Sequence, residues 1–204
     1  MIKVHFVGEG PRDEQSMPAL VGSLTPTRFQ ATFSKWTKYR VHSHRKKLLF
    51  ALQLARDDNA DGLIASTDQD NVGPAKLNEL KEARDEDRQE NPPIPTALAV
   101  PNPHFEAWLL DDKVAVQEVY GIPTERIPNV QEVDNPKAEL SALFRSSELA
   151  NAGRTEFELL ESISSKLDPT RCQHRQSTGL RAFLRDLKDE FRNLFDFPES
   201  LSTI

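Results

Sequence analysis

Four short apolar runs, separated by segments with helical periodicity, constrain the fold of this chain more than any other feature. The runs cover residues 2–7, 28–34, 62–67 and 96–100. Between them, apolar residues recur every three or four positions, for example over 17–24 and 48–55. Connections of this length return the chain to the same end of a sheet, so the strands pair in parallel. We therefore predict an α/β fold with an open, mostly parallel four-stranded sheet and helices on both faces.

Strand patterns stop at about residue 133. The later segments 135–144, 155–167 and 179–195 have the amphipathic pattern of helices. We predict an α/β domain over residues 1–133 and a helical C-terminal extension over 134–204 that packs on it.

Composition excludes several classes of protein. The single cysteine, Cys172, cannot form an internal disulfide bond and cannot supply a zinc finger. No apolar stretch reaches membrane-spanning length, and the N-terminus lacks the features of a signal peptide, so we expect a cytoplasmic protein with no membrane partner. The net charge of −6 argues against a general affinity for nucleic acid through bulk charge.

Acidic side chains follow three of the four predicted strands. Glu9 and Asp13 come after the first strand, Asp68 and Asp70 after the third, and Glu106 after the fourth. Sites in open parallel sheets form beyond the carboxyl ends of the strands, so residues that are remote in sequence can converge there.

A cluster of carboxylates repels itself, and burial increases the repulsion. Either a shared proton or a hard divalent cation such as Mg²⁺ relieves it. Two aspartates in a D-x-D on an extended segment face the same side, so Asp68 and Asp70 can both face one ion. The alternative is that these residues are turn and cap residues that bind backbone amides.

The ordered set of motifs resembles the Toprim domain of topoisomerases, bacterial-type primases, small maturases of ribosomal RNA and OLD-family nucleases. Glu9-Gly10 matches its glutamate and glycine after the first strand, and "DQDNVG" matches its D-x-D-x-x-G with the last glycine, Gly73, one place later. The longer motifs "VGEGPRDE", "STDQDN", "PNPHFEAWLLDD", "NPKAEL" and "RCQHRQSTGLRAFL" are similar, in order, to the Toprim-like DUF4276 and RloB-like group. Two departures are the extra glycine, Gly8, and Gln173, where the group commonly has proline.

The resemblance implies a Toprim-like, Rossmann-like sheet and a Mg²⁺- or Mn²⁺-dependent site that cleaves phosphodiester bonds. Asp68 and Asp70 would be metal ligands, Glu9 a ligand or the general acid/base, and Asp13 a ligand of a second ion. Members of the group are commonly encoded beside AAA or SMC-like ATPases in prokaryotic defence islands, which implies an ATPase partner.

Two further residues become candidate catalytic residues through the resemblance. Glu106 lies beside an apolar helix stripe, and the alternative is a surface glutamate favoured by the helix dipole. Lys137, in "NPKAEL", would clamp the scissile phosphate, and the alternative is a solvated lysine in a first helical turn.

The segment 35–47, "KWTKYRVHSHRKK", is rich in cations, has no acidic residue and includes two aromatic rings. Cations for phosphates and rings for stacking are typical of proteins that bind single strands or nucleic-acid backbones. The alternative is a solvated loop that enters the second helix. The predicted residues that bind nucleic acid, either DNA or RNA, are Lys35, Trp36, Lys38, Tyr39, Arg40, Arg45, Lys46 and Lys47.

These observations predict a metal-dependent nuclease, the effector subunit of a prokaryotic defence-type system that acts with a partner ATPase. The rival is a non-catalytic Toprim-like subunit that binds an ATPase or senses nucleic acid. A phosphotransferase or nucleotide-binding protein is disfavoured, because the sequence has neither G-x-x-x-x-G-K-[ST] nor G-x-G-x-x-G.

Overall fold

The computed structural model describes residues 1–70 and 74–201, without the side chains of residues 150 and 151. The predicted α/β fold is confirmed: four strands form one open, all-parallel sheet in the order β2-β1-β3-β4. The strands are β1 (Ile2–Gly8), β2 (Phe29–Lys35), β3 (Gly62–Ser66) and β4 (Thr96–Ala99). Their bounds lie within about one residue of the predicted runs, which is the usual uncertainty of strand ends.

Helices fill the connections and the C-terminal part of the chain. They are α1 (Pro11–Leu24), α2 (His44–Asp57), α3 (Ala75–Glu90), α4 (Glu106–Asp111), α5 (Lys113–Tyr120), α6 (Pro136–Ser146), α7 (Glu148–Asn151), α8 (Glu156–Lys166) and α9 (Leu180–Phe191). Short 3-10 turns occur at Trp36–Tyr39, Thr124–Arg126, Val130–Glu132 and Glu199–Leu201. The helix α1 begins at Pro11, well before the periodic segment 17–24, so Arg12 and Asp13 lie in its first turn.

The sheet is covered on both faces, because successive side chains of a strand point to opposite sides. Phe6 of β1 packs in the same cluster as Met17 of α1. The next residue, Val7, packs on the other face with residues of α2 and α3, among them Leu52 and Leu80. Burial on both faces explains why the runs of β3 and β4, whose residues are all buried, are continuous rather than alternating.

The C-terminal helices join the same core. Buried residues of α8 and α9 belong to the cluster that contains β1 and α1, and α8 packs along α1. No helix within the described ranges is both long enough and apolar enough to cross a membrane.

Helix α9 covers the outer edge of β4. Asp186 Oδ2 accepts a hydrogen bond from Leu98 N at 2.8 Å, and Glu190 Oε2 accepts one from Thr96 N at 3.1 Å. Arg84 of α3 donates to both carboxylate oxygens of Asp186 at 2.9 Å. Strand donors that would otherwise be open to another chain are thereby satisfied.

The motifs "LLDD" and "RCQH" meet for a structural reason. Asp112 Oδ2 accepts hydrogen bonds from Asp168 N at 2.8 Å and Arg171 Nη2 at 2.7 Å, and Asp111 accepts from His174 N at 2.9 Å. The two acids therefore fix the late loop against α4 and α5.

Candidate carboxylate site

The carboxyl ends of β1, β3 and β4 lie side by side at one edge of the sheet. Val7 of β1 pairs with Ala65 of β3, and Ser66 of β3 pairs with Ala99 of β4. Four of the acids in the segments that follow these strands form what we call the carboxylate cluster: Glu9, Asp13, Asp68 and Glu106.

Glu9 and Asp68 are in direct contact. Glu9 Oε1 accepts hydrogen bonds from Thr67 Oγ1 at 2.9 Å and from Asp68 N at 3.3 Å. The residue Glu9 is otherwise exposed. The ends of β1 and β3 therefore place these two predicted site residues together, as expected from the parallel topology.

Asp13 reaches the cluster from the first turn of α1. Its Oδ2 accepts a hydrogen bond from Glu9 N at 2.6 Å, and the residue is only 7% exposed. A Cβ atom on Gly8 would lie 2.6 Å from both Cβ and Oδ2 of Asp13. The glycine that departs from the Toprim-like pattern is thus the residue that lets Asp13 approach the end of β1.

Asp68 ties the end of β3 to the loop after β4. Its Oδ1 accepts a hydrogen bond from Phe105 N at 2.9 Å. In the same loop, Asp70 N donates to Pro103 O at 3.0 Å. Asp68 is therefore held at the point where Glu106, the next residue after Phe105, enters the site.

Glu106 is buried, with 2% exposure, so the alternative of a surface glutamate is wrong. Its Oε1 forms an ion pair with Arg12, while Oε2 is buried and has no hydrogen-bond partner among the described residues. A buried carboxylate oxygen without a partner is costly, and this cost is relieved when a donor or a cation reaches it.

The acids of the cluster shift one another's protonation. Burial, together with the charges of Glu9, Glu106 and Asp13, raises the pKa of Asp68 to about 7, and the hydrogen bond from Phe105 N opposes this shift. Burial also raises the pKa of Asp13 to about 6, with the charges of Glu9 and Glu106 adding to the shift. The hydrogen bond from Glu9 N and the charge of Arg12 oppose the shift at Asp13.

Asp70 departs from the arrangement predicted for a D-x-D. Its backbone is left-handed, with φ of 51°, so the premise of an extended segment does not hold there. The side chain is half exposed and forms an ion pair with Lys76, and His104 Nε2 lies 3.7 Å from Asp70 Oδ1. The carboxylate of Asp70 thus contacts Lys76, whereas that of Asp68 contacts Phe105 N. Gly73, the predicted last glycine of the motif, lies outside the described residues.

The donor set suits a hard divalent cation, since Mg²⁺ and Mn²⁺ prefer carboxylate oxygens. The unpartnered Oε2 of Glu106 and the raised pKa of Asp68 and Asp13 are what an anionic site shows before a cation binds. As the side chains stand, however, the described part of the chain contains no group of three His, Cys, Asp or Glu residues that could hold a metal ion. Coordination therefore requires side chains of the cluster to rotate.

Two cations near the site were missed by the sequence analysis. Arg12 pairs with Glu106, and Lys76 Nζ donates to Asp68 O at 2.6 Å as well as pairing with Asp70. Arg12 immediately precedes the predicted site residue Asp13 in "GPRDE", and this adjacency was the one sign in the sequence that Arg12 lies near the site. Lys137, predicted as the phosphate clamp, is exposed in the first turn of α6 and makes no hydrogen bond or ion pair to the cluster within the described ranges.

The basic segment begins at the same edge of the sheet. Trp36 follows β2, is 3% exposed and donates its Nε1 hydrogen to Ser66 O, the last residue of β3, at 2.6 Å. Trp36 is therefore a core residue, and its ring is not exposed for the base stacking that the sequence predicts. Tyr39 is partly buried, and its hydroxyl lies 2.7 Å from Ser34 Oγ.

The cations of the segment differ in their surroundings. Arg45 forms an ion pair with Glu86 of α3, so its charge is already matched. Residues 35, 38, 40 and 46 are exposed, and Lys47 is partly exposed. Burial lowers the pKa of His44, the charges of Lys47 and Lys76 lower it further, and the charges of Glu79 and Glu9 oppose this shift. The first turn of α2 therefore lies within electrostatic reach of the carboxylate cluster.

Comparisons of the chain with protein-family models, with curated proteins and with solved structures find no match. The Toprim-like resemblance accordingly rests on the short motifs alone.

Proposed function

We propose that this protein is a Mg²⁺- or Mn²⁺-dependent phosphodiesterase of nucleic acid. The observation that supports this most is the convergence of Glu9, Asp13, Asp68 and Glu106 at the carboxyl edge of a parallel sheet, with one nearby guanidinium. Such an excess of negative charge, with Asp13 and Glu106 buried, is stabilised by a divalent cation.

The four residues of the cluster would hold the ion. Asp70 would become a ligand only if its ion pair with Lys76 were broken. A bound ion supplies Lewis-acid chemistry, because it neutralises the phosphate and lowers the pKa of a bound water molecule. Glu9 is the exposed member, so it is placed to exchange a proton with an incoming substrate. Arg12 offsets part of the negative charge, and Lys76 fixes the loop of Asp68 through its carbonyl oxygen.

The exposed cations of the basic segment, residues 35–47, would bind the phosphate backbone of a nucleic acid whose scissile bond lies at the carboxylate cluster. Lys35 ends β2, and Lys38, Arg40 and Lys46 follow it on the surface. Each such cation that contacts a phosphate adds affinity that does not depend on base sequence.

The cellular context of the proposal follows from the resemblance. We place the protein in the cytoplasm, as the nuclease effector of a prokaryotic antiviral defence system with an AAA or SMC-like ATPase partner. The substrate is DNA or RNA.

A second candidate function is a non-catalytic Toprim-like subunit that binds an ATPase or senses nucleic acid. The observation that favours it is the absence, within the described ranges, of three carboxylates already grouped around one point. Under this alternative the acids would serve as hydrogen-bond acceptors that shape the edge of the sheet.

Cleavage assays of the parent protein and the variant Asp68→Asn distinguish the two functions. We expect the parent to cut DNA or RNA in Mg²⁺ or Mn²⁺, alone or with its ATPase, and Asp68→Asn to lose this activity. The matched control is Asp85→Asn, which removes an exposed carboxylate from α3. Cutting that persists in Asp68→Asn contradicts the assignment of the site, and metal binding without cutting under any condition favours the non-catalytic subunit.

A further inference from the structure

A ladder of three aromatic rings runs from the core to the surface beside the basic segment. The rings of Trp36 and Tyr39 meet edge to face, with centroids 6.3 Å apart and an angle of 63°. The rings of Tyr39 and Phe50 are parallel within 6°, with centroids 6.3 Å apart. Trp36 is buried and Phe50 is 52% exposed, so the outermost ring of the ladder faces solvent.

Phe50 lies off the buried face of α2. That face consists of Leu48, Ala51, Leu52 and Ala55, which pack under the sheet. An aromatic ring that is half exposed on a well-packed helix loses free energy to water and contributes little to the core. Phe50 therefore offers an open apolar face on which another ring can stack.

The inner rings of the ladder are held in place by buried polar contacts. The Tyr39 hydroxyl contacts Ser34 Oγ at 2.7 Å, and Ser34 Oγ contacts His5 Nε2 at 2.9 Å. Trp36 is anchored by its hydrogen bond to Ser66 O. A rigid stack loses little conformational entropy when a further ring is added to it.

Four cations of the segment 35–47 accompany the rings of the ladder. Lys46 and Lys47 precede Phe50 by four and three positions, so they lie on the same side of α2. Lys38 and Arg40 flank Tyr39 in the sequence. Within the part of the chain that the structure describes, these four cations form no ion pair, whereas Arg45 is paired with Glu86.

We propose that the Tyr39–Phe50 stack is a platform for an unpaired base, and that the nucleic acid bound here is single-stranded. This inference rests on the proposed function, because it names the substrate class of the same protein. A single strand exposes the faces of its bases for stacking and its phosphates for the adjacent cations. A duplex stacks its bases inward and presents phosphates at its surface, where the ring of Phe50 would gain nothing.

The outer ring of the platform lies on the helix whose first turn is within electrostatic reach of Glu9. Phe50 is six residues after His44, which is about 9 Å along the axis of α2. The charge of Glu9 acts on His44. A strand whose base stacks on Phe50 can therefore extend along the first turns of α2 to the edge of the sheet.

The test is a binding measurement by fluorescence anisotropy without divalent metal, so that cleavage does not interfere. The probes are a single strand of about 12 nucleotides, as DNA and as RNA, and a hairpin duplex of matched charge. The variants are Phe50→Leu, which keeps the apolar character and removes the ring, and Phe50→Trp, which keeps a ring. Phe157→Leu is the control, because Phe157 is a comparably exposed phenylalanine on α8.

We expect Phe50→Leu to weaken single-strand binding about tenfold, the effect of losing one stacked base. Phe50→Trp and Phe157→Leu should bind as the parent does, and binding of the hairpin should be equal in all four proteins. Because Phe50 is exposed, we expect its replacement to leave the melting temperature unchanged. The melting temperature therefore serves as the check that the variants are folded. Equal single-strand affinity of Phe50→Leu and the parent overturns the inference, as does a parent that prefers the duplex or binds neither probe.

The two proposals fail in different ways. Single-strand binding that depends on Phe50, without metal-dependent cutting, retains the platform and rejects the nuclease. Metal-dependent cutting that is unaffected by Phe50→Leu at subsaturating substrate retains the nuclease and rejects the platform. A protein partner that covers Phe50 while no single strand binds also rejects the platform.

Discussion

The backbone nitrogen of Asp68 donates a hydrogen bond to Glu9 Oε1 at 3.3 Å, across 59 positions of the sequence. This contact joins the ends of two neighbouring parallel strands and brings an exposed acid against a partly buried one. Asp13 and Glu106 complete a cluster in which each ionised carboxylate makes the next one harder to ionise. The predictions below follow from that repulsion and from the surfaces around it.

The pH dependence of stability should reveal the raised pKa of Asp68. Its pKa is raised from 3.8 to about 7, so between these values the folded protein keeps a proton that the unfolded chain releases. The stabilisation is present below pH 4 and is lost as the pH rises through about 7. In the absence of metal, the free energy of unfolding of the parent should therefore fall relative to Asp68→Asn over this window.

Chemical denaturation of both proteins at a series of pH values checks this prediction. The difference in the free energy of unfolding between the parent and Asp68→Asn should change by no more than about 1.4 kcal/mol per pH unit, the limit for one proton. The control Asp85→Asn should stay parallel to the parent. A flat difference, or one with the opposite slope, would show that Asp68 ionises normally in the folded state.

Gly8 should be intolerant of a side chain because its Cβ would meet Asp13 at 2.6 Å. We expect Gly8→Ala to lower the free energy of unfolding by about 1–3 kcal/mol, as overpacking does. Gly10→Ala is the matched control, since a Cβ there meets nothing within 4 Å. That variant should cost less than about 1 kcal/mol, the scale of a helix N-cap. Equal costs for the two variants would refute the close approach of Asp13.

Salt dependence of binding should separate the free cations of the basic segment from the paired one. Replacing Lys38, Arg40 and Lys46 together by glutamine should weaken binding and flatten the logarithmic salt slope by about two to three units. Arg45→Gln should have a smaller effect, because Glu86 already neutralises Arg45. An unchanged salt slope in the triple variant would favour the alternative interpretation, in which the segment is a solvated loop that does not bind nucleic acid.

The sequence alone was sufficient for the fold and for part of the site. Strands that are buried on both faces must be apolar throughout, so 62–67 and 96–100 could be recognised without any contact information. The topological rule then placed Glu9 and Asp68 at one edge of the sheet. Strand ends differ by about one residue because the terminal residues contribute little to the apolar pattern.

The remaining site features depend on contacts between distant residues. Trp36 packs in the cluster that contains Leu48 and donates to Ser66 O, and the buried Glu106 pairs with Arg12 on another helix. The left-handed backbone of Asp70 has no local signature in "STDQDN". The exposure of Phe50 could have been predicted from the sequence, because the helical spacing of Leu48 and the other residues of the buried face places position 50 on the outside of α2.

Direct metal binding to the parent and to Asp68→Asn tests the central claim most directly. Titration of Mn²⁺ by calorimetry, with melting temperatures measured on the same samples, reports binding independently of any substrate. The account predicts that the parent binds Mn²⁺ and gains thermal stability from it, whereas Asp68→Asn loses both effects and is at least as stable as the metal-free parent at pH 8. Equal Mn²⁺ binding by the parent and by Asp68→Asn would contradict it.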